Sequence, residues 1–113
     1  MLIFSKAVLT ALAKNGAASA VSERDHKPVV KIFNPTGGAT WLLTESDPQN
    51  PDRLFGLCDL GLGEPELGYV SRAELESIRV RFGLRLERDI HFTANKTLSE
   101  YANEATKAGR IIA

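Results

Sequence analysis

The segment FGLCDLGLGEPELGYVS, residues 55–71, carries four glycines, three carboxylates and the only cysteine of the chain. A phosphate-binding loop needs a helix directly after its glycines, with a lysine and a hydroxyl residue at its start. Here Glu64 and Pro65 follow the glycines, and the next residues, ELGYV (66–70), are typical of a strand. The segment therefore predicts two strands, LFGLCDL (54–60) and ELGYV, joined by the turn GLGEP.

Two further strands are predicted upstream, VVKIF (29–33) and TWLLTE (40–45), because both are rich in β-branched and aromatic residues. The turn NPTGGA separates them. All these connections are too short for a helical crossover, which favours antiparallel pairing in a meander. The alternation in LRLERDIHF predicts a fifth extended segment.

Two capping boxes predict helices downstream, one from Ser71 to Glu74 and one from Thr97 to Glu100. The first helix is expected to end at Gly83 and the second at Gly109. Their predicted apolar faces hold Leu75, Ile78 and Phe82 in the first helix, and Leu98, Tyr101, Ala102 and Ala105 in the second.

A short amphipathic helix is predicted at the N-terminus, ending at Gly16 and followed by a linker. The chain thus divides into an N-terminal helix and linker (1–27) and a single domain (28–113). The predicted fold is α+β, with a four- to five-stranded, mainly antiparallel sheet and helices packed on one face.

Composition limits the classes of function. Fourteen basic residues balance fourteen acidic ones, so no overall charge favours nucleic acid or an anionic membrane. The single cysteine, Cys58, excludes an intrachain disulfide and is expected to be a small core residue, in agreement with a cytoplasmic location. We expect no membrane partner and no cofactor.

The carboxylates allow three interpretations, and the first, favoured by the absence of a diagnostic ligand spacing, is that they are solvated at the ends of strands. A metal-dependent hydrolase or nuclease would need four side chains to converge: Asp59, Glu66, Asp89 and His91. Alternatively, Arg88 lies among apolar residues in an extended segment and needs a carboxylate partner. Asp59 or Glu66 is then the predicted partner in a structural latch, and the alternative is that Arg88 binds an anion or a substrate.

Two charged regions suggest partners. Residues 45–66 hold six carboxylates against one arginine, which predicts an acidic surface that could occupy a basic groove of a partner. Four arginines could instead form a basic edge on the helix predicted to begin after Ser71 and bind DNA weakly: Arg72, Arg79, Arg81 and Arg85. No set of stacking aromatic residues accompanies them in the sequence.

The blocks EPELGYVSRAELESIR, GLRLERDIHF and TLSE, together with the upstream strands, resemble the family of proteins of unknown function DUF2958 over residues 28–101. Val70 and Arg72 depart from its usual aromatic and apolar residues. Members are commonly encoded on plasmids, conjugative elements and phage-derived islands, near antirestriction and DNA-transfer genes. The resemblance implies this setting and no specific chemistry.

We therefore expect a non-catalytic accessory protein of a mobile genetic element that binds a protein from host defence or DNA-transfer machinery. Nucleic acid is the weaker alternative partner. The candidate binding residues are Asp47, Asp52, Glu64, Tyr69 and Arg72.

Overall fold

The computed structural model describes residues 2–113 and contains a five-stranded antiparallel sheet with three α-helices. The strands are β1 (Val30–Phe33), β2 (Thr40–Asp47), β3 (Asn50–Asp59), β4 (Glu66–Ser71) and β5 (Glu87–Arg88). The helices are α1 (Lys6–Val21), α2 (Arg72–Ser77) and α3 (Leu98–Ala108). The predicted α+β class and antiparallel sheet are confirmed. The order β4-β3-β2-β1-β5 shows that the first four strands form the predicted meander and that β5 joins its far edge.

The helices lie on both faces of the sheet, so the prediction of a single covered face is wrong. On one face α1 and α2 place Leu12 and Leu75 in a cluster with Ile32, Leu43 and Leu54. On the other face α3 packs against Leu42 and Leu57. Neighbouring residues of β2 are apolar on both sides, and successive side chains of a strand point to opposite faces. The sheet therefore needs cover on both.

The predicted end of α1 at Gly16 is also wrong, because the helix continues to Val21. A Cβ at position 16 would overlap the backbone carbonyl of Ser46 in β2. Gly16 thus allows the helix to approach the sheet closely and does not end it. The residues after α1 are also held in place, since the backbone N–H of Leu98 donates to the carbonyl of His26 at 2.9 Å.

The two capped helix starts are confirmed, but α2 is shorter than predicted. The Ser71 side chain accepts a hydrogen bond from the Glu74 backbone N–H, and Thr97 forms a full capping box with Glu100. Helix α2 ends at Ser77, and Phe82 lies in a following turn with a positive φ. The predicted apolar face therefore holds Leu75 and Ile78 without Phe82.

Candidate functional site

The α3 side of the sheet is left uncovered near β4. Helix α3 buries Leu57, whereas Leu67, its neighbour on β4, is 49% exposed. The next cross-strand pair joins Phe55 and Tyr69, whose ring centroids lie 5.0 Å apart. Tyr69 is 58% exposed, and the Arg53 guanidinium lies 3.8 Å from the centroid of its ring. Arg53, Phe55, Leu67 and Tyr69 together form what we call the open strip.

Grooves border the open strip. The larger has a volume of about 480 Å³ and lies between the start of α3, residues 23–26, and the strands that carry Glu45, Phe55 and Leu67. A second groove of about 330 Å³ lies between the end of α1 and the pair Arg53 and Tyr69. The open strip is therefore continuous with concave surface that an elongated ligand could follow.

The polar wall of the larger groove is fixed by hydrogen bonds. Asp25 accepts from both the backbone N–H and the hydroxyl of Ser99, and these bonds, the hydroxyl foremost, lower the pKa of the Asp25 carboxyl. The Ser19 hydroxyl lies 2.9 Å from Nε2 of His26. The first turn of α3 is therefore already capped by Asp25, and the wall serves to shape the groove.

Strand β4 is an edge strand, with β3 as its hydrogen-bonded neighbour on one side. The other side of an edge strand presents backbone N–H and C=O groups to an incoming chain. Natural edges are commonly protected by lysine, proline or a bulge. Residues 66–71 carry neither lysine nor proline, and a Cβ at Gly68 would meet no other atom within 4 Å.

The predicted metal or acid–base set is not assembled. Glu66 lies on β4 and Asp89 follows β5, at opposite edges of the sheet. Four strand spacings of about 4.8 Å separate these edges by roughly 19 Å, far beyond the reach of a shared ion. Asp89 accepts from the His91 backbone N–H and lies 3.6 Å from Lys31. Within residues 2–113, no group of three or more His, Cys, Asp or Glu side chains is placed to hold a metal ion.

The predicted latch between Arg88 and Asp59 or Glu66 is wrong. Arg88 pairs with Ile32 in the sheet and donates from Nη1 to the Ile3 carbonyl at 3.2 Å. Asp59 is 1% exposed and accepts from the backbone N–H groups of Gly61 at 2.8 Å and Ile111 at 2.9 Å. Two strands separate β3 from β5, so the residues cannot meet. Both do act as latches, Arg88 for the N-terminal segment and Asp59 for the C-terminal one.

The predicted acidic surface is not a single patch. Asp47 accepts from the Gln49 backbone N–H in the β2–β3 turn, while Glu64 lies in the β3–β4 turn at the other end of β3. Asp52 accepts from the Ser71 hydroxyl at 2.6 Å and from the Ala73 backbone N–H at 2.9 Å. These bonds lower the pKa of Asp52 and fix the start of α2. Its carboxylate is therefore used within the protein.

The remaining two candidate binding residues differ in availability. Arg72 is held near α2, with Nε 3.3 Å from a Glu76 carboxylate oxygen and its guanidinium 5.9 Å from the Phe4 ring. Tyr69 instead presents its ring on the open strip. The structure thus brings together Tyr69, Asp47 and Asp52 near one end of β3 and leaves Glu64 apart.

Comparison with known proteins gives one result. A family model described as "Protein of unknown function (DUF2958)" matches residues 3–112. The chain belongs to the DUF2958 family. The match extends the resemblance to α1, which fits the packing of that helix on the DUF2958 sheet. No curated protein and no solved structure gives a significant match.

Of the four residues that form the open strip in this DUF2958 protein, Tyr69 is among the binding residues predicted from the sequence, whereas Arg53, Phe55 and Leu67 are not. A signal was present, since the last strand of a meander is a sheet edge and alternate residues of paired strands share one face. What the sequence did not reveal is that α3 covers Leu57 and leaves Leu67 exposed.

No described helix is long and apolar enough to cross a membrane. Cys58 packs against the α1-side core, and burial, with a smaller effect of the Glu66 charge, raises its pKa to about 11. The thiol is therefore a poor nucleophile near neutral pH.

Proposed function

We propose that this protein is a non-catalytic binding module that holds an extended segment of a partner protein along β4 and the open strip. The observation that carries the proposal is the exposure of Leu67 and Tyr69 on an edge strand that has no lysine, proline or bulge. From the family resemblance we further propose that it is an accessory protein of a mobile genetic element, and that the partner belongs to host defence or DNA-transfer machinery.

Strand addition suits this surface for two reasons. Backbone hydrogen bonds to an edge supply affinity, and alternate side chains of the added strand supply specificity. An added strand beside β4 would place every second side chain on the same face as Leu67 and Tyr69. Tyrosine and arginine are enriched among the residues that dominate binding energies, and Arg53 and Tyr69 are already stacked.

The carboxylates support a binding role over a catalytic one. Asp25, Asp52 and Asp59 each accept two hydrogen bonds from the protein and stabilise its own turns and helix starts. The open strip supplies aromatic, aliphatic and guanidinium groups, which are suited to the recognition of a partner surface.

The test is comparative affinity capture from cells that carry the parent element. The variant Leu67→Lys/Tyr69→Lys should lose the partner that the wild type retains. Ile90→Lys is the matched control, because Ile90 is a similarly exposed apolar residue, 62% accessible, just after β5 at the other edge. Equal capture by wild type and both variants would overturn the proposal.

The mode of binding is tested with the purified partner by amide hydrogen exchange. Addition of a strand should slow exchange at outward-facing N–H groups of β4, since these acquire hydrogen-bond acceptors. Unchanged exchange in β4, with protection elsewhere, would refute strand addition.

A further inference from the structure

The residues after α2 form a small basic hairpin. RVRFGLR, residues 79–85, turns back on itself through an antiparallel bridge between Arg79 and Arg85. The Val80 backbone N–H donates to the Leu84 carbonyl at 2.7 Å, and the Gly83 N–H donates to the Val80 carbonyl at 3.1 Å. We call this segment the arginine hairpin.

The base of the arginine hairpin is anchored in the protein. Ile78 and Val80 pack against the core on the α1 side of the sheet, and Leu86, just after the hairpin, is buried. The direction of the hairpin is therefore set by the core, although its tip lies outside it.

The tip displays an aromatic ring in an unfavourable backbone conformation. Phe82 has φ 63° and ψ 19°, a left-handed region in which a side chain with a Cβ is disfavoured. The ring is 85% exposed, so it gains little from burial. The Arg81 guanidinium lies 5.5 Å from its centroid. Backbone strain of this kind, when no packing explains it, points to a function for the displayed group.

The charge of the hairpin has one sign. It holds three arginines and no carboxylate in seven residues, in a chain with zero net charge. All three arginines are exposed, and none forms an ion pair among the residues that the structure describes. Arg79 donates only to backbone carbonyls of its own turn, those of Ser77 and Ile78.

We propose that the arginine hairpin binds single-stranded nucleic acid, with a base stacked on Phe82 and backbone phosphates paired with Arg79, Arg81 and Arg85. Guanidinium groups bind phosphate in a bidentate manner, and an exposed aromatic face accepts any unpaired base. Bases of a duplex are already stacked on each other, so a single ring at a hairpin tip favours single strands. This surface is separate from the open strip and goes beyond the protein-binding proposal.

The structure places these arginines differently from the helix edge predicted from the sequence. The arginines do not line a helix edge, because α2 ends at Ser77. The aromatic residue that lies beside them is Phe82, which the sequence had assigned to the apolar face of the predicted helix. Arg72 remains on α2 and is paired with Glu76, so it is not part of the hairpin surface.

The experiment is fluorescence anisotropy of labelled oligothymidylate and oligouridylate of about 12 nucleotides, titrated with the full chain at several salt concentrations. Three phosphate contacts predict a slope of log K against log salt near −2, since each contact contributes about −0.7 for a single strand. Comparison of the two oligonucleotides shows whether DNA or RNA is preferred.

Two kinds of variant separate stacking from charge. Phe82→Ala should weaken binding about tenfold and leave the salt slope unchanged, because it removes stacking alone. Arg81→Gln should weaken binding and make the slope shallower by about 0.7. Leu62→Ala is the control, since Leu62 is an equally prominent apolar residue in another glycine-containing turn, 80% exposed, and should have no effect.

Failure would be clear. Absence of binding at low salt, or equal losses in Phe82→Ala and Leu62→Ala, would overturn the proposal. Tighter binding to a duplex of the same length would refute the preference for single strands. Because all three positions are exposed, circular dichroism should show the same fold for every variant, and a change in fold in Phe82→Ala alone would assign Phe82 a structural role instead.

Discussion

Replacement of Asp59 should destabilise the protein strongly, because its buried carboxylate holds the C-terminal segment against the sheet. One oxygen accepts from Gly61 and the other from Ile111, and the side chain is 1% exposed. A hydrogen bond to a charged group contributes about 1.5–3 kcal/mol, and buried partners left unpaired add their desolvation cost. We therefore expect Asp59→Ala to lower the free energy of unfolding by about 3–5 kcal/mol, a large part of the roughly 5–15 kcal/mol typical of a domain.

Asp59→Asn should cost about half as much. The amide keeps one acceptor oxygen but directs an NH₂ group at a backbone N–H, so one of the two hydrogen bonds is lost. Urea unfolding followed by Trp41 fluorescence is a suitable assay, because the single tryptophan is buried and pairs with Cys58, the residue before Asp59.

The matched control is Asp47→Ala. Asp47 also accepts a backbone hydrogen bond, from Gln49 at 2.9 Å, but it lies in an exposed turn. We expect a change of at most about 1 kcal/mol there, as for most surface substitutions. If Asp59→Ala were no more destabilising than Asp47→Ala, the structural assignment of Asp59 would be refuted.

Three further predictions concern single residues. Gly16→Ala should lower the free energy of unfolding in urea by about 1–3 kcal/mol, despite the better helix propensity of alanine, since a Cβ would overlap the β2 backbone. The control is Ala17→Gly on the exposed side of α1, which should lose about 1 kcal/mol through helix propensity alone. A Gly16→Ala variant more stable than the wild type would contradict the close approach of α1 to β2. Because the pKa of Asp52 is lowered in the folded protein, its stabilising effect is full above the unfolded-state pKa and is lost as the pH falls through the folded-state pKa. The difference in urea midpoint between wild type and Asp52→Asn should therefore shrink from about pH 7 to about pH 3. A difference that stays constant with pH would argue against a role for the charge of Asp52. The Cys58 pKa of about 11 implies that iodoacetamide reacts about a hundredfold more slowly than with a thiol of ordinary pKa 9.0 near pH 8, and an ordinary rate would show that the thiol is accessible.

Local signals predicted the elements of this fold well. The four strands of the meander and the helix starts at Ser71 and Thr97 follow from β-branched runs, turn residues and capping boxes, all of which act within a few residues. The C-terminal end of α3 at Gly109 is also as predicted, with the glycine in the left-handed conformation.

The errors arise where tertiary contacts decide. Glycine is common at helix ends, but Gly16 lies inside α1 and allows the helix to pack closely on β2, which is a contact between residues far apart in sequence. Phe82 has the spacing of a helical core residue, but α2 ends at Ser77, before the predicted end at Gly83. The Phe82 ring therefore lies exposed in the turn that follows the helix. The consecutive apolar residues of β2 indicate cover on both faces of the sheet, but which helix packs on which face depends on tertiary contacts.

The candidate site was harder to predict than the fold for a related reason. Asp59 has the appearance of an active-site carboxylate in the sequence, and only the position of Ile111, 52 residues away, shows that it binds the C-terminal segment. The open strip depends on where α3 stops covering the sheet. The exposure of the open strip depends on how the helices pack on the sheet, whereas its residue types are ordinary for a strand.

Each of the two proposed surfaces combines exposed apolar side chains with a second feature of the backbone. Leu67 and Tyr69 leave apolar area in water along an unprotected edge, and Phe82 combines an exposed ring with a disfavoured backbone conformation. The exposed apolar area at Leu67 and the left-handed backbone at Phe82 do not stabilise the isolated chain. Local preference and packing agree at Thr97 and Asp59, and at Gly16 the close packing on β2 explains a glycine inside a helix. Since natural sequences depart from such agreement mainly at functional sites, these departures locate binding more directly than the charged residues, most of whose carboxylates already have partners within the protein.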